Sequence, residues 1–177
     1  MIYSPPDIRS SFKENDLGRT LYELVMTLRP HKIVEFGVLH GYSTVCMAMA
    51  LHELGRGYIE AYDLWEKYPF NHSTKEKVKE TIESHRLSRQ VVLLDGDAFN
   101  ANIRNADLIF CDLSNDGLII ELMYGIYHEK APILFEGGTE ERDNIEWMKK
   151  WNKKPIRNID IPFTVLDSRF PGLSFIP

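Results

Sequence analysis

The chain is short of cysteine, of long apolar runs and of surplus positive charge, and each shortage removes a class of protein. Two cysteines, Cys46 and Cys111, stand among 177 residues. Both lie in apolar segments without metal-ligand spacing, so they read as small buried hydrophobes in a reducing cytoplasm, not as a disulfide framework or a zinc module. Apolar runs such as Val91-Val-Leu-Leu94 and Ala131-Pro-Ile-Leu-Phe135 are strand-length, far below the roughly 20 residues of a membrane helix. The N-terminus, Met1-Ile-Tyr-Ser-Pro-Pro6, lacks the basic and apolar regions of a signal peptide. A cytoplasmic protein with no membrane partner is the expectation. A net charge of −5 argues against a nucleic-acid partner, which asks for a basic face. The one basic cluster, Lys149, Lys150, Lys153, Lys154 and Arg157, falls at a helix end, where cations complement the helix dipole.

Repeats, low-complexity tracts and linkers are missing too, so residues 1–177 read as one domain, long enough to bury a core without staples. What is present is alternation. A helical stripe over Asp16–Arg29 is closed by Pro30. A strand over 32–36, a helix over 42–54 ended by Gly55 and Gly57, and a strand over 58–62 follow. Residues 64–72 form a loop rich in aromatics. Ser73-Thr-Lys-Glu76 matches a capping box and opens a helix to about His85. Strands over 90–94, 106–111 and 132–135 alternate with helices over 116–129 and 140–151. The end of the chain reads as two strands joined around Pro171-Gly172. Strands apolar on both faces, alternating with helices, give an α/β, doubly wound Rossmann-like sheet of seven strands, mostly parallel with an antiparallel C-terminal hairpin strand. Ligands of such sheets bind beyond the carboxyl ends of the strands. That rim carries Gly37, Asp63, Asp97, Asp112 and Glu136.

The richest segment is Lys32–Ala50, in which Glu35 ends a buried strand, Gly37 and Gly41 shape a turn, and a helix presents free N–H groups to the same spot. A dinucleotide turn needs Gly-x-Gly-x-x-Gly for the pyrophosphate. Here Leu39 stands at the middle glycine, and the turn has no cationic side chain. Asp63 lies 22 positions beyond Gly41, near the spacing of about 20 expected of a ribose-binding carboxylate. A ribose site without a pyrophosphate site, among carboxylates, suggests a cationic nucleoside, and S-adenosylmethionine has that character.

Glu35-Phe-Gly-Val-Leu-His-Gly-Tyr-Ser43 resembles the first motif of class I S-adenosylmethionine-dependent methyltransferases, and within them is most similar to the small-molecule O-methyltransferase branch. Asp63, Gly96-Asp97-Ala98, Asp112 and Ser168-Arg-Phe-Pro-Gly172 match later motifs in order, so the resemblance spans residues 16–176. It implies that Asp63, with Leu64 beside it, accepts the ribose hydroxyls. Asp97 and the Ala98 N–H would serve the adenine. Glu35, Gly37, Gly41 and Ser43 would hold the methionine end, Tyr42 would pack beneath the cofactor, and Asp112 would stand beside the transferred methyl. Asp95, Asp107 and Asp116 read instead as caps or loop solvation.

Metal-dependent enzymes of that branch hold a divalent cation with an acid after strand four and an Asp-Asn pair after strand five. Asp112 matches the first, but Glu136-Gly137 replaces the pair. Asp112 and Glu136 are therefore candidate Mg2+ ligands, expected to face one cavity and either to bind a cation or to share a proton. The missing pair favours a metal-free reaction, with His40 or His72 as base, whereas His85 and His128 read as structural. The acceptor would be a small hydroxylated molecule on a rim lined by Trp65, Tyr68, Phe70 and His72. Homodimerisation is left open. The competing readings are an inactive or nucleic-acid-directed S-adenosylmethionine-binding protein, and an NAD-linked oxidoreductase, which Leu39 and the lack of a Tyr-x-x-x-Lys pair disfavour.

Overall fold

A computed structural model describes residues 3–70 and 73–177. Its frame is a seven-stranded sheet in the order β3-β2-β1-β4-β5-β7-β6. The strands are β1 (Lys32–Phe36), β2 (Tyr58–Asp63), β3 (Val91–Asp95), β4 (Leu108–Cys111), β5 (Ile133–Glu136), β6 (Thr164–Asp167) and β7 (Leu173–Ile176). The first five pair in parallel, and β7 alone runs antiparallel to both its neighbours. The hairpin thus returns inward: its second strand inserts beside β5, and β6 becomes the edge. Strand order reverses between β1 and β4, which is where such sheets open a crevice for ligands.

Side chains alternate between two cores. Ile33, Ile59, Ala61, Leu108, Phe110 and Leu134 face one layer, while Val34, Phe36, Ile109, Cys111, Ile133 and Phe135 face the other. The first layer is closed by α1 (Ser11–Glu14), α2 (Leu17–Leu28), α3 (Tyr42–Leu54) and α4 (Lys75–Ser84), and the second by α5 (Gly117–Tyr127) and the segment after it. Helix α3 is apolar almost all round, with Val45, Cys46, Met47, Ala48, Ala50 and Leu51 fully buried, because it is wedged between the sheet and α2. None of the described helices is long and apolar enough to cross a membrane.

Two sequence expectations change. Thr74, not Ser73, caps α4, its hydroxyl accepting from the Lys77 N–H at 3.2 Å. The single helix expected over 140–151 is two short ones, α6 (Glu140–Asp143) and α7 (Glu146–Lys150). The Asp143 carboxylate accepts from the backbone N–H groups of Ile156 and Arg157 and from the Arg157 side chain. That tie fixes α6 onto the following segment and breaks the helix where periodicity alone would have continued it. The basic cluster is largely neutralised locally: Lys153 pairs with Asp116, Lys154 with Glu121, and Arg157 with Asp143 and Glu140.

Candidate functional site

The turn between β1 and α3 is held in the left-handed region at Gly37, Leu39 and Gly41, with φ of 86°, 50° and 81°. At Gly37 a glycine is obligatory, since a Cβ there would run into the backbone carbonyl of Asp112 from the adjacent strand end. Leu39 adopts the left-handed conformation without that freedom, at a cost of about 1–2 kcal/mol. The Asp63 carboxylate compensates: one oxygen accepts from the N–H groups of Val38 and Leu39 at 2.8 and 3.0 Å, the other from Trp65 N–H at 2.9 Å. Asp63 therefore clasps the turn from the end of β2, and about one of its four lone-pair positions stays open to a ligand.

Glu35 is fully buried beneath the turn and accepts from the Ser43 and Thr44 hydroxyls at 2.5 and 2.6 Å. Burial pushes its carboxyl up to about 7, the two hydroxyls pull it down, and the Asp63 charge adds a further upward push. Tyr42 is buried against α2, its hydroxyl close to Gly18. Next to Asp63 the structure opens a cleft of about 200 Å³ lined by Asp63, Leu64, Lys67, Asp95, Gly96 and Asp97. Asp97 accepts from Phe99 N–H at 3.0 Å, which turns the chain and leaves its second oxygen towards Asn100. Ala98 is buried directly after it. A second hollow of about 240 Å³, lined by Leu28, Pro30, His31, Asp107 and Phe175 among others, lies at the amino end of the strands. It is remote from every residue above.

Asp112 and Glu136 end neighbouring strands and interact directly. Burial and then the Glu136 carboxylate push the Asp112 carboxyl well above the usual carboxylate range, Glu35 adds to this, and Arg142 opposes it. Arg142 was not singled out in the sequence. Its Nε and one terminal nitrogen lie 2.7 and 2.6 Å from one oxygen of Glu136, with both side chains mostly buried. The Asn115 amide, oriented to satisfy its neighbours, donates to the Glu136 carbonyl at 3.1 Å and accepts from the Arg142 guanidinium at 3.1 Å. The Phe170 ring covers that guanidinium, 5.7 Å from centroid to Cζ. Nothing in the sequence flags this contact, because Gly137 and Gly138, both left-handed, fold the chain back between Glu136 and Arg142.

This arrangement does not fit the expected Mg2+ ligands. One oxygen of Glu136 is engaged by Arg142, and a side chain at position 137 would collide with the Asn115 amide and Ile156. Among the described residues no three His, Cys, Asp or Glu side chains group to hold a metal ion. Trp65 also departs from expectation. It is 1% exposed and donates from its indole N–H to the Leu94 carbonyl at 3.1 Å, so it is core and not acceptor rim. Tyr68 and Phe70 are exposed and meet edge to face, while His72 lies outside the described residues. His40 is half-exposed within the turn. Asp116 caps α5, Asp107 accepts from the N–H groups of His31 and Lys32, and Asp95 pairs with Lys75 while also lining the cleft. His85 and His128 each bring a ring nitrogen within 2.8 and 2.7 Å of a carbonyl one helical turn back.

Comparison with known proteins bears on the fold and the family. No curated protein matches the sequence. Among solved structures, an O-methyltransferase from Bacillus cereus in complex with SAH superposes with a TM-score of 0.63 at 19% identity, covering 97% of this chain and 83% of that one. The O-methyltransferase TomG from Streptomyces achromogenes, involved in tomaymycin synthesis and solved with SAM, gives 0.62 at 17% identity, with 96% and 81% covered. The SAH-bound methyltransferase PaMTH1 from Podospora anserina gives 0.63 at 16%, with 94% and 78% covered. At these identities the likeness establishes the fold. The family model described as a methyltransferase domain matches residues 34–139, from inside β1 through the β5 rim, and so takes in the glycine turn, Asp63, Asp97, Asp112 and Glu136. The chain belongs to the methyltransferase-domain family.

Proposed function

We propose that the protein transfers a methyl group from S-adenosylmethionine to a hydroxyl of a small molecule. The observation that carries this reading is the cleft with three acids at the carboxyl ends of β2 and β3, beside the glycine turn that follows β1. The residues fit the cofactor. The carboxylates of Asp63 and Asp97 suit a diol and an exocyclic amine, and the acids complement a sulfonium cation. The names of the Bacillus and Streptomyces neighbours support an oxygen acceptor and this cofactor.

When bound, the cofactor supplies an electrophilic methyl carbon on positively charged sulfur. The protein contributes alignment. Asp63 takes the ribose, while Asp97, Ala98 N–H and Leu64 bracket the base. Gly37, Gly41 and Ser43 would form the wall at the methionine end, and that wall is stiff: the Ser43 and Thr44 hydroxyls donate to Glu35 beneath it, and the Gly37 and Gly41 N–H groups donate to the Tyr62 and Val38 carbonyls. Asp112 follows the strand end packed against Gly37 and would stand on the side of the transferred methyl. The acceptor hydroxyl would give up its proton to a base, for which Asp112, His40 and His72 are the candidates. Two unpaired, buried thiols support a reducing, cytoplasmic setting.

Calorimetry with S-adenosylmethionine, its demethylated product, NAD and ATP tests the cofactor: the first two bind, and binding of NAD alone refutes the reading. Turnover of small hydroxylated acceptors with labelled cofactor tests the acceptor class, and turnover confined to nucleic acid refutes it. Sedimentation velocity on the same preparation reads whether the chain self-associates.

A further inference from the structure

We infer that the guanidinium of Arg142 occupies the position a divalent cation would take beside Asp112 and Glu136, so that the protein binds no metal there and its reaction runs without one. The inference rests on the methyltransferase reading for what the site does, but its geometry stands alone. A hard cation needs several oxygens free to turn towards it, usually six in all. Here one Glu136 oxygen, Oε1, accepts two N–H groups of Arg142, and the Asn115 amide oxygen accepts from the same guanidinium. An arginine carries its charge at every working pH, and two cations on one carboxylate oxygen repel. The second ligand position is closed as well. Position 137 has φ of 104°, and a Cβ there would overlap the Asn115 amide, so the amide in this corner comes from the β4–α5 loop and faces the arginine.

The surrounding structure holds the guanidinium in place. Thr139 caps α6 by accepting from Arg142 N–H at 3.3 Å, Asp143 ties the next turn to Ile156 and Arg157, and the Phe170 ring lies over the guanidinium. Phe170 is itself anchored, its carbonyl accepting from the Asn15 side chain at 2.7 Å. Arg142 thus acts through Glu136 as a positioning residue: it balances the carboxylate charge and fixes its orientation at the strand end.

The test is Mn2+ binding, read by calorimetry and electron paramagnetic resonance on the cofactor-free protein, alongside turnover with and without EDTA. Wild type is expected to take up no Mn2+ at this site and to lose no activity in EDTA. R142M, which keeps the bulk and removes the charge, is expected to gain Mn2+ binding, and R142M/E136Q to lose it again. R142K, which restores a cation, is expected to return to the wild-type lack of binding. Mn2+ uptake by wild type that E136Q abolishes overturns the inference, and that comparison stands even where R142M does not fold. R142M that folds by circular dichroism yet binds no Mn2+ also overturns it. Because metal uptake is read without cofactor, its outcome is separate from that of the S-adenosylmethionine calorimetry.

Discussion

Asp63 carries two duties, and separating them is the sharpest test at the residue scale. It accepts two backbone N–H groups of the glycine turn and the N–H of Trp65, and it lines the cleft proposed for the ribose. Asp63→Ala is therefore expected to cost about 1.5–3 kcal/mol of folding stability in urea denaturation as well as a similar loss of cofactor affinity in calorimetry. A variant with unchanged unfolding and weakened binding would show that the clasp on the turn is energetically idle. Glu35 gives a second test through pH. Its folded carboxyl is raised to about 7 from an ordinary 4.5, so the folded state binds the proton more tightly than the unfolded one. The stability this contributes is fully present below about pH 4.5 and is lost as pH rises to about 7, on the order of 3 kcal/mol in all. Glu35→Gln removes the titration while leaving an amide for Ser43 and Thr44, and is expected to flatten the unfolding free energy across that window. An unaltered pH slope would refute the assignment.

At the scale of elements, the contact between α2 and α3 sets the wall beneath the turn. Gly18 on α2 lets the two helices close over the Tyr42 hydroxyl: a Cβ there would stand 2.5 Å from the hydroxyl oxygens of Tyr3 and Tyr42 and 2.7 Å from the Cys46 sulfur. In an exposed helix, Gly→Ala gains about 1 kcal/mol. Here overpacking costs about 1–3 kcal/mol and outweighs it. Gly18→Ala is thus expected to lower the melting temperature in differential scanning calorimetry, and a raised one would mean that α2 rests more loosely on α3 than the structure has it. Several element boundaries were legible from local signals, although the capping-box signal fell one residue early at Ser73 where Thr74 caps α4. Gly55 stops α3 and Asp116 caps α5 by rules that operate within a few residues. The break between α6 and α7 was not legible, because it depends on Asp143 reaching the Ile156 and Arg157 N–H groups from another segment.

For the whole molecule, cofactor binding should appear as stabilisation by mass action. A ligand at about 100 times its dissociation constant adds roughly 2.7 kcal/mol, and a domain of this size shifts by about 2–4 °C per kcal/mol. S-adenosylmethionine is therefore expected to raise the melting temperature by about 5–10 °C under those conditions, with NAD and ATP leaving it unmoved. A flat response would count against the cofactor.

The alternating pattern of apolar strands and helices already dictates a doubly wound sheet, because only stacking helices on both faces buries strands that are apolar on both sides. The same pattern puts Gly37, Asp63, Asp97, Asp112 and Glu136 on one rim, since every parallel strand ends at the same side. What those side chains meet there depends on contacts between distant segments. Trp65 turned inward to the Leu94 carbonyl, Asp63 spent its oxygens on the turn, and Arg142 came back across two left-handed glycines to Glu136. Periodicity and capping rules reach four or so residues along the chain, whereas the partner of a buried charge is selected by desolvation over the whole fold. The carboxylates could be counted in advance, but the cation that answers them is set by three-dimensional packing.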